Sequence, residues 1–138
     1  ASDTVREEWA AFDITSRQGV RIEVKCSAYI QSWKQSGPST IRLGVRATRR
    51  WDESKRTYEA ISSRQADVYV FAVFAHKERA TVDPLNVSQW EFFVVSRKRL
   101  DQLAQNKKSI GLPGLRKLAG EPFGFDQLKQ AIESTYAD

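Results

Sequence analysis

Asp67-Val-Tyr-Val-Phe-Ala-Val-Phe-Ala75 is an almost unbroken apolar run. A strand with one wet face alternates apolar and polar residues, so this run predicts a strand covered on both faces. Such cover implies helices packed on a sheet, and the sequence downstream supplies them. Residues 90–95 predict a further strand, and Ser96 is placed to cap a helix over residues 97–105. Residues 113–118 predict a short helix. Leu128, Ala131, Ile132 and Tyr136 fall at helical spacing within residues 126–136 and predict a terminal one.

Upstream, residues 49–65 are polar and poorly periodic and predict a loop with a short helix. Residues 40–47 alternate as a strand, with Ile41, Leu43 and Val45 inward and Arg42 and Arg46 opposite. The clearest alternation comes earlier. Val20, Ile22, Val24, Cys26 and Ala28 share one face, and Arg21, Glu23, Lys25, Ser27 and Tyr29 share the other. Arg17-Gln18-Gly19 before it has the form of a three-residue hairpin loop, with Gly19 at the position that needs φ > 0. The expected architecture is a single mixed α/β domain over residues 1–138: a meander of strands, then a buried strand, with helices mainly in the second half.

Composition removes several kinds of chemistry. The one cysteine, Cys26, excludes an internal disulfide and leaves no set of thiolates for zinc. His76 is the one histidine and follows the apolar run, where a lone imidazole is structural or solvated. With no apolar stretch approaching the roughly 20 residues that cross a bilayer, a soluble cytoplasmic protein is expected. The net charge of +5 fits a polyanionic partner and is unevenly placed. One basic stretch runs from Arg42 to Arg64; a second holds Arg97, Lys98, Arg99, Lys107 and Lys108.

The first hairpin carries the chemistry. If Arg17-Gln18-Gly19 is its loop, Ser16 pairs with Val20 and Asp13 falls opposite Glu23. Directly opposed side chains have Cβ atoms about 4.5–5.5 Å apart, and like charges so placed repel. Two carboxylates at that distance need a cation or a shared proton between them. Mg²⁺ takes such oxygen ligands together with substrate phosphate. Lys25, two residues beyond Glu23, projects from the same face, where its ammonium can orient or deprotonate a water. Phosphodiester hydrolysis needs this combination of groups.

Phe12-Asp13-Ile14, a spacer containing Gly19, and Ile22-Glu23-Val24-Lys25 resemble the D…(D/E)xK signature of the PD-(D/E)XK nuclease superfamily. The stretches from Arg21 to Trp33 and from Arg64 to Phe71 are similar to a group of uncharacterised bacterial proteins placed in that superfamily. The resemblance covers residues 9–118. It implies a restriction endonuclease-like fold, a central mixed β-sheet flanked by helices. It also implies a metal-dependent DNA endonuclease in which Asp13, Glu23 and the backbone carbonyl of Val24 bind Mg²⁺ or Mn²⁺ and Lys25 activates water. The superfamily core opens with a helix before the aspartate strand. With so few residues ahead of the strand, either Glu7 or Glu8 supplies the acidic residue of that helix or the helix is missing from an N-terminally truncated fragment, and a missing helix would leave one sheet face uncovered. The lack of a methionine at the start fits either removal of an initiator Met or an excised fragment.

DNA is the expected partner, and a homodimer is left open. Gln31, Trp33 and Lys34 follow the active strand as candidate contacts to nucleotides. Arg42, Arg46, Arg49 and Arg50 form a candidate phosphate track. Gln65 and Tyr69 match the QxxxY pattern of some exonuclease-type members, although Tyr69 lies within the apolar run. Two other readings stand beside this one: an inactive DNA-binding module of the same fold, and a small α/β protein-interaction domain whose charge pair is incidental.

Overall fold

The structure, a computed structural model, describes residues 14–30, 37 and 40–137. Its centre is a four-stranded mixed sheet. β1 (Ile14–Thr15) and β2 (Arg21–Ala28) form the expected hairpin, β6 (Val68–Phe74) lies parallel to β2, and β7 (Trp90–Ser96) lies antiparallel to β6. The order across the sheet is β1-β2-β6-β7.

Every residue of β6 is buried, as its unbroken apolar run requires. The two faces carry separate cores. On one, Tyr69, Phe71, Val73, Phe93 and Val95 meet Leu100, Ala104, Leu115 and Leu118. These last four come from α1 (Arg97–Leu103) with its C-cap, and from α2 (Leu112–Ala119). On the other, Val20, Ile22, Val68, Val70, Ala72, Phe92 and Val94 meet Ala131, Leu128 and Ile132 of α3 (Leu128–Ala137). Ser96 caps α1 as its position suggests, its hydroxyl accepting from the Arg99 N–H at 3.1 Å. The mixed α/β class with a central sheet flanked by helices is therefore the observed one. Helices α1 and α2 pack on one face of the sheet and α3 on the other, so neither face is left bare.

Two upstream segments depart from expectation. Residues 40–47 keep the predicted inward set, with Ile41, Leu43 and Val45 all buried. However, only β3 (Arg42–Gly44) is strand, and it pairs with β8 (Ser109–Gly111) in a separate two-stranded sheet laid over the first core. Residues 49–65 form no helix. They make a second hairpin, β4 (Thr48–Asp52) with β5 (Thr57–Ser63). The turn between them explains why. Asp52 accepts from the Ser54 N–H at 3.1 Å and its hydroxyl at 2.7 Å, and from the Lys55 N–H at 3.3 Å; Arg56 takes φ 52°. An aspartate that binds its own backbone ahead favours a turn over a helix. A register shift between Arg49 and Trp51 breaks the alternation that would have announced β4. The expected meander is thus two hairpins and a short strand, and only the first hairpin joins the central sheet.

Candidate active site

The β1–β2 turn is built as its sequence suggests. The Ser16 N–H donates to the Val20 carbonyl at 2.9 Å, and the Gly19 N–H donates to the Ser16 carbonyl at 2.9 Å. Gly19 takes φ 83°, where any side chain would be strained. Ile14 then pairs with Ile22 and Thr15 with Arg21. Asp13, the next residue out, lies outside the described residues, as do Gln31, Trp33 and Lys34.

On β2, Glu23 and Lys25 project from the same face, and Lys25 Nζ lies 2.9 Å from Glu23 Oε2. The Glu23 side chain is 19% exposed and that of Lys25 40%, so the pair sits at a rim open to solvent rather than in the core. Across the parallel β2–β6 ladder, Glu23 is in register with Tyr69 and Lys25 with Phe71. Tyr69 is buried and stacks on Phe71, with ring centroids 6.4 Å apart. Burial, reinforced by the charge of Glu23, pushes the Tyr69 hydroxyl up to about 12. The phenol stays protonated beside the carboxylate at neutral pH. Gln65, the other half of the QxxxY pattern, is turned to Ser63, donating to its hydroxyl at 2.8 Å and its carbonyl at 3.1 Å.

The remaining site candidates are divided by the fold. Arg42 and Arg46 are exposed on one side of the β3 segment. Arg49 and Arg50 fall on β4, where only the backbone is described. Arg64 leaves the basic stretch altogether. It is 5% exposed, donating from Nε to the Val45 carbonyl at 2.9 Å and from Nη2 to the Ala104 carbonyl at 2.7 Å, with Asp101 at 2.9 Å. A cation so enclosed fastens β3, the strand ahead of β6 and α1 together and cannot meet a polyanion. The second basic cluster is also dispersed. Arg97 turns toward Asp67, and Arg99 donates to the Leu118 and Lys117 carbonyls at the end of α2. Lys98 joins Arg116 and Lys117 in a cleft of about 600 Å³ at the β7 edge of the sheet, away from Glu23 and Lys25. The histidine is engaged, His76 Nε2 lying 2.7 Å from the Thr81 hydroxyl.

Among the described residues no group of three His, Cys, Asp or Glu side chains is placed to hold a metal, and no helix is long and apolar enough to cross a membrane. Glu23 is therefore the one described side chain of the expected ligand set.

The family model of bacteriophage T4 endonuclease IV matches residues 7–112, well over half of the chain. The chain belongs to the bacteriophage T4 endonuclease IV family. The matched region takes in the whole β1–β2 hairpin, the buried strand β6 and α1, and ends at Leu112, the first residue of α2. In this endonuclease IV family member, α3 lies beyond the match. No curated protein and no solved structure matches the chain.

Proposed function

We propose that this nuclease-family chain is a divalent metal-dependent DNA endonuclease with an active site of the PD-(D/E)XK kind. The observation that carries the reading is the Glu23–Lys25 pair on one face of β2, 2.9 Å apart, beside a hairpin whose register is the one the site needs. The Ile14–Ile22 pairing has the register that the proposed place of Asp13, opposite Glu23, requires. The endonuclease match over residues 7–112 includes all of these positions.

The donor set suits a hard cation. Asp13, Glu23 and the Val24 carbonyl offer oxygen alone, and Mg²⁺ and Mn²⁺ take one or two carboxylates and complete their shells with water and phosphate. Bound there, the ion would supply positive charge to a phosphoryl oxygen as negative charge builds on it. Lys25 orients a water toward the phosphorus by donating to it from its ammonium, and its charge offsets that of the phosphate. Its contact with Glu23 sets where that ammonium points. The neutral Tyr69 adds no further negative charge on the core side.

The experiment is cleavage of DNA by the purified chain with Mg²⁺ or Mn²⁺ and with EDTA. Cleavage is expected only with the metal. Hydrolysis that persists in EDTA would overturn the metal-dependent reading, and DNA binding without cleavage under any metal would favour an inactive module.

A further inference from the structure

A second cleft opens on the same face of the same strand. Its volume is about 480 Å³ and its lining includes Tyr29, Ile41, Arg42, Lys77, Gly111 and Leu112, with no acidic residue among the described ones. Tyr29 is four residues beyond Lys25 and continues the Glu23, Lys25, Ser27 face. The face leads straight into the cleft, because the Ser27 hydroxyl accepts from the Arg42 N–H at 3.3 Å.

Two cations are fixed here, and among the described residues neither is held by an anion. Arg42 donates from Nη2 to the Ser109 hydroxyl at 2.7 Å and lies across Gly111, where an added Cβ would sit 3.2 Å from its Nη1. Lys77 Nζ lies 4.4 Å from the centre of the Tyr29 ring. Contrast Arg21, Arg64 and Arg97, each of which faces a carboxylate. A cation positioned by a hydroxyl, a glycine or a ring keeps its full charge for a ligand, and the apolar floor of Ile41 and Leu112 strengthens its field. Tyr29 packs on the core and carries Lys77 above it, so it serves as a post for the ammonium.

We infer that this cleft binds the phosphodiester backbone of the nucleic-acid substrate on one side of the bond to be cut, with Arg42 and Lys77 as its phosphate ligands. The inference rests on the proposed site at Glu23 and Lys25 for its distance from the scissile bond. Four residues of strand span about 13 Å. At about 3.4 Å of rise per nucleotide along a duplex strand, the cleft lies within about four nucleotides of that bond.

The test is fluorescence anisotropy with labelled oligodeoxynucleotides of increasing length, in EDTA so that nothing is cut, across a series of salt concentrations. The full chain is compared with Arg42→Ala, Lys77→Ala and their combination, with Lys129→Ala, exposed on α3, as a charge-matched control. Affinity of the unaltered chain is expected to step up once the oligonucleotide can span the cleft, and the double variant to lose that step. Each single variant is expected to weaken binding several-fold and lower the slope of log affinity against log salt by about one. An unchanged slope and step, or an equal fall with Lys129→Ala, would overturn the cleft. Failure of the nuclease reading shows separately, as no metal-dependent cleavage by the unaltered chain, whatever the anisotropy gives.

Discussion

Two ion pairs stand on one face of β2, and they serve different ends. At the start of the strand, Arg21 meets Asp67 with its backbone N–H and Nε on Oδ2, at 2.9 and 3.2 Å, and with Nη2 on Oδ1, at 2.9 Å. The Asp67 N–H returns a bond to the Arg21 carbonyl at 2.8 Å. This pair ties the beginning of β2 to the residue before β6. Two positions on, Glu23 and Lys25 pair with each other along a single strand. A link within one strand closes no loop and joins no elements, and exposed pairs of this kind contribute about 0–1 kcal/mol. The fold gains little from Glu23 and Lys25, so the case for them is chemical.

Substitutions can break that contrast or sharpen it. The largest expected effect falls on Glu23. Glu23→Gln removes a proposed metal ligand and should slow cleavage by about 100-fold or more, a typical loss when a charge acting on the transition state is removed. Its melting temperature should match that of the unaltered chain in a thermal scan. A large drop in melting temperature would place Glu23 with the structural pairs.

Next comes Arg64, a buried cation that joins elements. Arg64→Ala leaves the Val45 and Ala104 carbonyls without their donors and is expected to cost about 2–4 kcal/mol in urea unfolding. A cost below about 1 kcal/mol would show that water replaces the guanidinium freely.

Asp67 gives a smaller effect with a pH signature. Burial works against its charge, but the Arg21 hydrogen bonds and charge, with Arg97 nearby, outweigh this and hold the carboxyl below its ordinary value of 3.8. A carboxylate whose pKa is depressed by folding contributes stability that is present above the unfolded pKa and lost as pH falls through the folded one. Asp67→Asn should therefore cost about 1–2 kcal/mol near neutral pH, discounted for the partly exposed Arg21. The gap to the unaltered chain should narrow below about pH 4. A pH-independent gap would assign the loss to packing alone.

The sequence made the centre of the molecule legible and its periphery much less so. The run from Val68 to Phe74 allows one structure, because no amphipathic element buries every residue, and the alternation from Val20 to Ala28 set the two faces of β2. Gly19 announced its own turn. Beyond the sheet, local pattern lost its hold. β4 and β5 are polar, and their sequence predicts a loop with a short helix, since the bulge between Arg49 and Trp51 shifts the pleat by one residue. β3 was legible as an inward set of Ile41, Leu43 and Val45, but its partner, β8, lies more than sixty residues away and carries no signal of pairing. Glu23 and Lys25 share one face of β2, as their spacing implies. Tyr69 lies in the apolar run and is buried as that run implies; its register with Glu23 comes from the parallel pairing of β2 and β6, which local pattern does not announce. The fate of the arginines was illegible. Arg42 and Arg64 belong to one basic stretch by sequence, and only packing makes one a surface cation and the other a buried strut. Lys77 carried no signal, because its partner Tyr29 is reached across two strands.

The most direct test is single-turnover cleavage of DNA by Lys25→Ala in saturating Mg²⁺, with DNA affinity and melting temperature measured on the same protein. The account predicts a rate lower by about 100-fold or more, with binding and stability little changed. A rate within about twofold of the unaltered chain would contradict it and leave Lys25 an ordinary surface partner of Glu23.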